Sequence, residues 1–146
     1  ITLTLSEQSR MGNFTDNLSI SELYGLVFSS KLRELLNILQ VDNLEYYDLK
    51  IVNSKTGGIY TDYKIANVIG LVDCVDKDKS NLKYFDNGDI KRIRKLVIDE
   101  SKIPPELKVF RLSNRTILTF VHESIRNVLI SAGITGCVFY KPEDYR

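Results

Sequence analysis

The chain has 146 residues, 43% apolar and 27% charged, with 20 Lys and Arg against 19 Asp and Glu for a net charge of +1. That suffices for one domain with a real core but not for two ordinary ones. The charge balance provides no electrostatic footprint for nucleic acid or for an acidic membrane surface. Cys74, Cys137 and the single histidine, His122, are too few for a structural zinc site, and both cysteines read as free thiols of a reducing cytosol. No run reaches the roughly 18 apolar residues of a membrane helix. No basic segment leads into an apolar one as in a signal peptide. The chain starts at Ile1 and not at methionine, so a preceding piece is expected.

In chain order, Ile1, Leu3 and Leu5 alternate with threonines, a short strand signal, and the polar stretch 11–17 reads as a loop. Residues 24–28 are apolar, a strand or the approach to a helix. Ser29 and Ser30 precede Leu32, Leu35, Leu36 and Leu39, the spacing of an amphipathic helix over 29–40 with serine as its cap. Alternation over 44–52 predicts one half-buried strand, and Gly57-Gly58 a turn after it. The run 63–75 is apolar on both sides of a two-residue period, which predicts a central strand covered on both faces. It ends in the polar turn Asp76-Lys77-Asp78-Lys79-Ser80. A strand at 82–85, the Asn87-Gly88 turn signal and a return strand at 90–98 predict a hairpin. Pro104-Pro105 interrupts regular pairing. Two β runs follow around 113–115, then a helix over 123–132 with Gly133 as terminator and a closing strand at 137–140. The expected fold is α+β, a mainly antiparallel sheet with two amphipathic helices in a single domain. Its first 24 residues form a variable segment packed on a body of 25–146.

Few residues suggest chemistry. Asp73, Asp76 and Asp78 could hold a divalent cation or act as a carboxylate pair, as in a metal-dependent hydrolase or transferase using Asp73 and Asp76. The competing reading is turn chemistry, in which Asp and Ser satisfy backbone N–H groups. Lys91, Arg92, Arg94 and Lys95 suggest a phosphate-binding ribbon or a charged, aggregation-resistant edge. Strand alternation would split them, Lys91 and Lys95 on one face and Arg92 and Arg94 on the other. His122 has no nucleophile context such as a Gly-x-Ser-x-Gly elbow. Tyr46, Tyr47, Tyr60, Tyr63 and Tyr84 lie near turns and suit either interface hot spots or ordinary strands.

Six segments in fixed order carry a resemblance. They are Tyr63-Lys64-Ile65-Ala66-Asn67-Val68, Val72-Asp73-Cys74-Val75-Asp76 with Ser80, and Ile93-Arg94-Lys95-Leu96-Val97-Ile98-Asp99. Lys102-Ile103-Pro104, Val109-Phe110-Arg111-Leu112 and Ala132-Gly133-Ile134-Thr135-Gly136 complete the set. Over about 25–140 the chain resembles immunity-protein family eleven of bacterial polymorphic toxin systems. The resemblance implies a cytoplasmic, non-enzymatic protein without cofactor or metal. Its partner would be the C-terminal domain of a cognate secreted or contact-delivered toxin, encoded beside it and blocked by one-to-one binding. It implies scaffold roles for Asn67, Asp73, Asp76, Ser80, Pro104, Gly133 and Gly136. His122 stands where a serine is expected to cap the last helix, which suggests a weaker or functionally altered helix start. Near-neutral charge argues against a strongly acidic decoy for a basic nuclease. The expected toxin-contact surface is the hairpin over 82–92, with Tyr84, Phe85, Asp86, Asp89 and Arg92.

Overall fold

The computed structural model describes residues 2–5, 14–20 and 25–146. The expected features at Ile1, 11–13 and Tyr24 lie outside the described residues. The fold is α+β, with antiparallel strand pairs predominating and, among the described residues, parallel pairing of β1 with β5 and of β8 with β11. The chain folds as two compact units. The first comprises Ile1–Asn67 and Asn127–Cys137, the second Val68–Arg126 and Val138–Arg146.

In the first unit, β1 (Thr2–Leu5), β5 (Lys50–Asn53) and β6 (Ile59–Tyr60) form one sheet in the order β1-β5-β6. A four-stranded sheet in the order β2-β3-β7-β4 combines β2 (Asn17–Ile20), β3 (Gly25–Phe28), β7 (Lys64–Val68) and β4 (Leu44–Asp48). Val27, Leu49, Ile51 and Tyr63 make the buried core here. The single strand expected over 44–52 is two strands. The chain changes sheet at Leu49, and side-chain alternation, which continues through Tyr47, Leu49 and Ile51, cannot report which backbone each strand pairs with. Helix α1 (Ser30–Ile38) buries Leu32 and Leu36, and the Ser29 hydroxyl accepts the Leu32 N–H at 3.2 Å. It ends with Val41 N–H donating to Leu36 C=O and Gln40 N–H to Asn37 C=O, around a left-handed Gln40 at φ 57°. That is a Schellman closure.

In the second unit, β8 (Leu71–Val72), β11 (Val109–Leu112) and β12 (Arg115–Val121) form a sheet in the order β12-β11-β8. The strands β9 (Asn81–Tyr84) and β10 (Ile90–Lys95) form the expected hairpin. Val72, Cys74, Val75, Ile90, Ile93, Leu96, Phe110 and Leu112 are buried together, and the stacked rings of Phe110 and Phe120 lie 5.3 Å apart. Each such aliphatic side chain contributes about 1.5–3 kcal/mol on burial.

The continuous central strand expected over 63–75 does not form. β7 is interior to its sheet, but Gly70 at φ 136° breaks the run, and β8 is a two-residue strand at the margin of another sheet. Ile69 and Leu71, on either side of the break, are exposed. A left-handed backbone is open to glycine at little cost and ends β pairing there. Beyond it Val75 bridges antiparallel to Ile98.

Helix α2 (Glu123–Ser131) buries Ile125 and Leu129. Gly133, at φ 66°, ends it by the same closure as α1, with Ile134 N–H donating to Leu129 C=O and Gly133 N–H to Ile130 C=O. The closing strand expected at 137–140 is absent. Val138 and Tyr140 are 75% and 65% exposed and pair with no strand among the described residues. An apolar run alone does not supply a ladder. Cys74 and Cys137 are free thiols, and burial pushes both upward in pKa.

Candidate functional site

The hairpin brings Tyr84, Phe85, Asp86, Asp89 and Arg92 onto one element. Ile90 opposes Tyr84, and Arg92 opposes Lys83. The turn is closed by Phe85 N–H donating to Asp89 C=O at 2.8 Å and Gly88 N–H to Phe85 C=O at 3.0 Å, with Gly88 at φ 87°. The Asn87 side chain donates to the Asp89 carboxylate at 2.8 Å and accepts the Asp89 N–H at 3.1 Å. At the tip, Tyr84 is 41% and Phe85 51% exposed. The Lys91 ammonium lies 5.4 Å from the centre of the Phe85 ring. Partial burial, with the Asp73 charge added, pushes the Tyr84 phenol upward, so it stays a neutral donor.

The turn Ser113-Asn114-Arg115 braces this hairpin. Asn114 C=O accepts the Ile90 N–H at 2.8 Å, and the Asn114 side chain donates to Gly88 C=O at 3.4 Å. The Arg115 guanidinium donates to Ile90 C=O at 2.7 Å. Nothing in the local sequence announces these bonds. Asn and Arg after a serine mark a turn but not its partner.

The structure corrects the expected splitting of the basic residues. The β9–β10 register shifts twice, between Ile90 and Arg92 and between Ile93 and Lys95. Ile90, Ile93 and Leu96 are therefore all buried at a spacing of three, leaving Lys91, Arg92, Arg94 and Lys95 all exposed. Irregular pairing rotates the strand locally, which a strict two-residue period does not capture.

A family model described as immunity protein family (Imm11) matches residues 7–144, nearly the whole chain. The chain belongs to this family. Comparison with curated proteins finds no match. The match reaches 18 residues further toward the N-terminus than the motifs at 25–140, from 25 back to 7, and so takes in Asp16.

Several of the family-derived scaffold positions have a physical role in this Imm11 protein. Asp76 N–H donates to Val97 C=O at 2.9 Å, while its carboxylate accepts Lys79 N–H at 3.1 Å and pairs with the Lys79 ammonium at 3.0 Å. The Lys79 side chain first, and then the Lys79 backbone N–H, hold the Asp76 carboxyl below the ordinary carboxylate value. Ser80 both accepts the Val97 N–H at 2.9 Å and donates to Val97 C=O at 3.2 Å. Asn67 lies in β7, and the nearby Tyr47 hydroxyl donates to the Glu45 carboxylate at 2.7 Å. Pro104 C=O accepts Leu107 N–H in the proline turn. Gly136 sits at φ 79°, where a Cβ would fall 2.2 Å from Asn17 C=O and 2.6 Å from the Thr15 hydroxyl. Its need for glycine is therefore steric as well as conformational. Asp73 is exposed near Tyr84, and Asp76 is committed to Lys79. Among the described residues, no group of three or more His, Cys, Asp and Glu is placed to hold a metal ion.

His122 stands at the start of α2 and caps it with its ring. Its Nδ1 accepts the Ser124 N–H at 3.2 Å and lies 2.8 Å from the Ser124 hydroxyl, so the imidazole performs the capping task of a serine. Of the tyrosines, Tyr63 is buried and donates to Thr15 C=O at 3.0 Å, Tyr46 is half-buried beneath Arg33, and Tyr47 and Tyr84 are exposed. Asp16, which the sequence analysis missed, is a hub. Its carboxylate accepts the Ser29 hydroxyl at 2.8 Å and both the N–H and hydroxyl of Thr135 at 2.9 Å, across 119 residues of chain. Burial alone would raise the Asp16 carboxyl; the Thr135 and Ser29 bonds and the Lys31 charge outweigh it and hold it below the ordinary value. Only a polar local context marks Asp16 in the sequence. No helix of the described residues is long and apolar enough to cross a membrane.

Proposed function

We propose that this immunity protein acts in the cytoplasm by binding the C-terminal domain of a cognate toxin one to one, without turnover. We place the contact surface on the hairpin at Tyr84, Phe85, Asp86, Asp89 and Arg92. The observation that carries this choice is the exposed Tyr84–Phe85 pair on a hairpin whose base is held by buried Ile90 and by Asn114 and Arg115. A rigid aromatic pair with polar neighbours offers large contact area at low ordering cost, the character of an interface hot spot. Asn67, Asp73, Asp76, Ser80, Pro104, Gly133 and Gly136 are assigned to the scaffold.

The test is co-expression with the toxin domain encoded beside the protein, scored by growth rescue and by co-elution on a sizing column. Rescue with a stoichiometric complex supports binding. Rescue without a complex overturns it in favour of an enzyme that reverses the damage, and Asp76→Asn would then be the first variant to assay for lost activity. Absence of both rescue and complex overturns the assignment for that toxin. Within a stable complex, Tyr84→Ala with Phe85→Ala should weaken binding by more than about 2 kcal/mol.

A further inference from the structure

The second unit contains an open cleft of about 500 Å³ beside β10. Five cationic residues line it, Lys91, Arg92, Arg94, Arg115 and Arg146, together with Tyr145 and the buried Ile93, and no carboxylate side chain does. A quarter of the chain's 20 basic residues thus meet at one place in a protein of net charge +1. Among the described residues none of the five is ion-paired, whereas Lys64 pairs with Asp48, Lys79 with Asp76 and Lys102 with Asp99. Clustered like charges repel and lower stability unless an anion joins them.

The cleft is also built rather than accidental. The Arg115 guanidinium is anchored on Ile90 C=O, and its Nε is buried without a hydrogen-bond partner. The Arg146 guanidinium donates to Arg94 C=O. Tyr145 packs on the buried cluster of this unit. Two of the five cations are therefore held in place before any ligand arrives, which reduces the ordering cost of binding. Arginine is the residue suited to planar, two-pronged recognition of oxyanions.

We infer that this cleft receives a carboxylate-bearing segment of the toxin domain, a proposal that rests on the binding function above. Charge complementarity selects an acidic occupant. Arg92, common to the cleft and the hairpin surface, makes the two continuous. A protein acid and not a nucleic acid is chosen because the chain as a whole has no basic excess.

The experiment is calorimetric titration of the purified toxin domain into wild-type protein and into Arg94→Glu, Arg94→Gln and Lys55→Glu, at low and physiological salt. Arg94 and Lys55 are both exposed, so their variants should fold, which thermal melting checks. Lys55→Glu makes the same change in net charge away from the cleft. Arg94→Glu should weaken the complex by about tenfold or more and flatten its salt dependence, Arg94→Gln should lie between, and Lys55→Glu should stay within about twofold. Equal effects of Arg94→Glu and Lys55→Glu on a complex that does form would overturn the cleft while leaving the binding function standing. Unaltered toxin affinity in Arg94→Glu, with tripolyphosphate binding the wild-type cleft alone, would overturn it in favour of a small-phosphate site. No wild-type complex would sink the binding function itself, and the cleft proposal with it.

Discussion

Two turns of the second unit carry two aspartates each and have opposite wiring. In the turn at 76–80, Asp76 and Ser80 direct their side chains to the backbone of Lys79 and Val97, and the Asp76 carboxylate is neutralised by Lys79. In the turn at 86–89, the Asn87 side chain bonds only Asp89 and the Asp89 carboxylate only Asn87, Asp86 has no side-chain partner among the described residues, and two aromatic side chains stand beside them in solvent. The first turn ties 74–76 to 97–99; the second presents polar and aromatic groups outward. Acidic composition therefore says little about function until the hydrogen-bond partners are known. Asp16, in the first unit, belongs with the wired kind.

The contrast can be broken from its strongest point. Ile90→Ala removes the buried anchor beneath the presenting turn and should cost about 2–5 kcal/mol in urea unfolding while also weakening toxin binding. Asp16→Ala loses three bonds to a charged group and should cost roughly 2 kcal/mol by the same measurement. Its folded carboxyl is held low, so its contribution is full above the unfolded value of about 3.9 and is lost as pH falls through the lower folded value. Asp76 follows the same sign. Acid unfolding of Asp16→Asn should accordingly show a shallower pH dependence below about pH 4 than wild type. Ser80→Ala strands the Val97 N–H and should cost about 1–2 kcal/mol without altering toxin affinity. Asp86→Ala should leave the unfolding midpoint unchanged but alter toxin affinity. A large stability loss in Asp86→Ala, or a large affinity loss in Ser80→Ala, would erase the distinction between the turns.

Much of the fold could be read from local pattern. The leucines of 32–39 with Ser29, the Asn87-Gly88 turn and the stripe ending at Gly133 each combine a period with a terminator, and each formed where expected. The misreadings share one cause. The run 44–52 kept its apolar alternation, and the run 63–75 its apolar residues on both sides of the period, while the backbone changed sheet at Leu49 and at Gly70. The run 137–140 had the composition of a strand but no partner. The aromatic hairpin tip was visible in sequence, whereas the cationic cleft was not, because Arg115 and Arg146 reach it from 24 and 52 residues away from the backbone groups they bond, Lys91 and Arg94.

The sequence by itself determined the α+β class, the two helices with their ends, the hairpin and the family, because periodicity, caps and turn residues act within a few positions of one another. Tertiary structure decided which strands pair, that Asp16 joins Ser29 to Thr135, and that four basic residues of one strand share solvent exposure. Those outcomes depend on register shifts and on hydrogen-bond partners far apart in the chain. A one-residue slip reverses a strand's faces without changing any letter of the sequence.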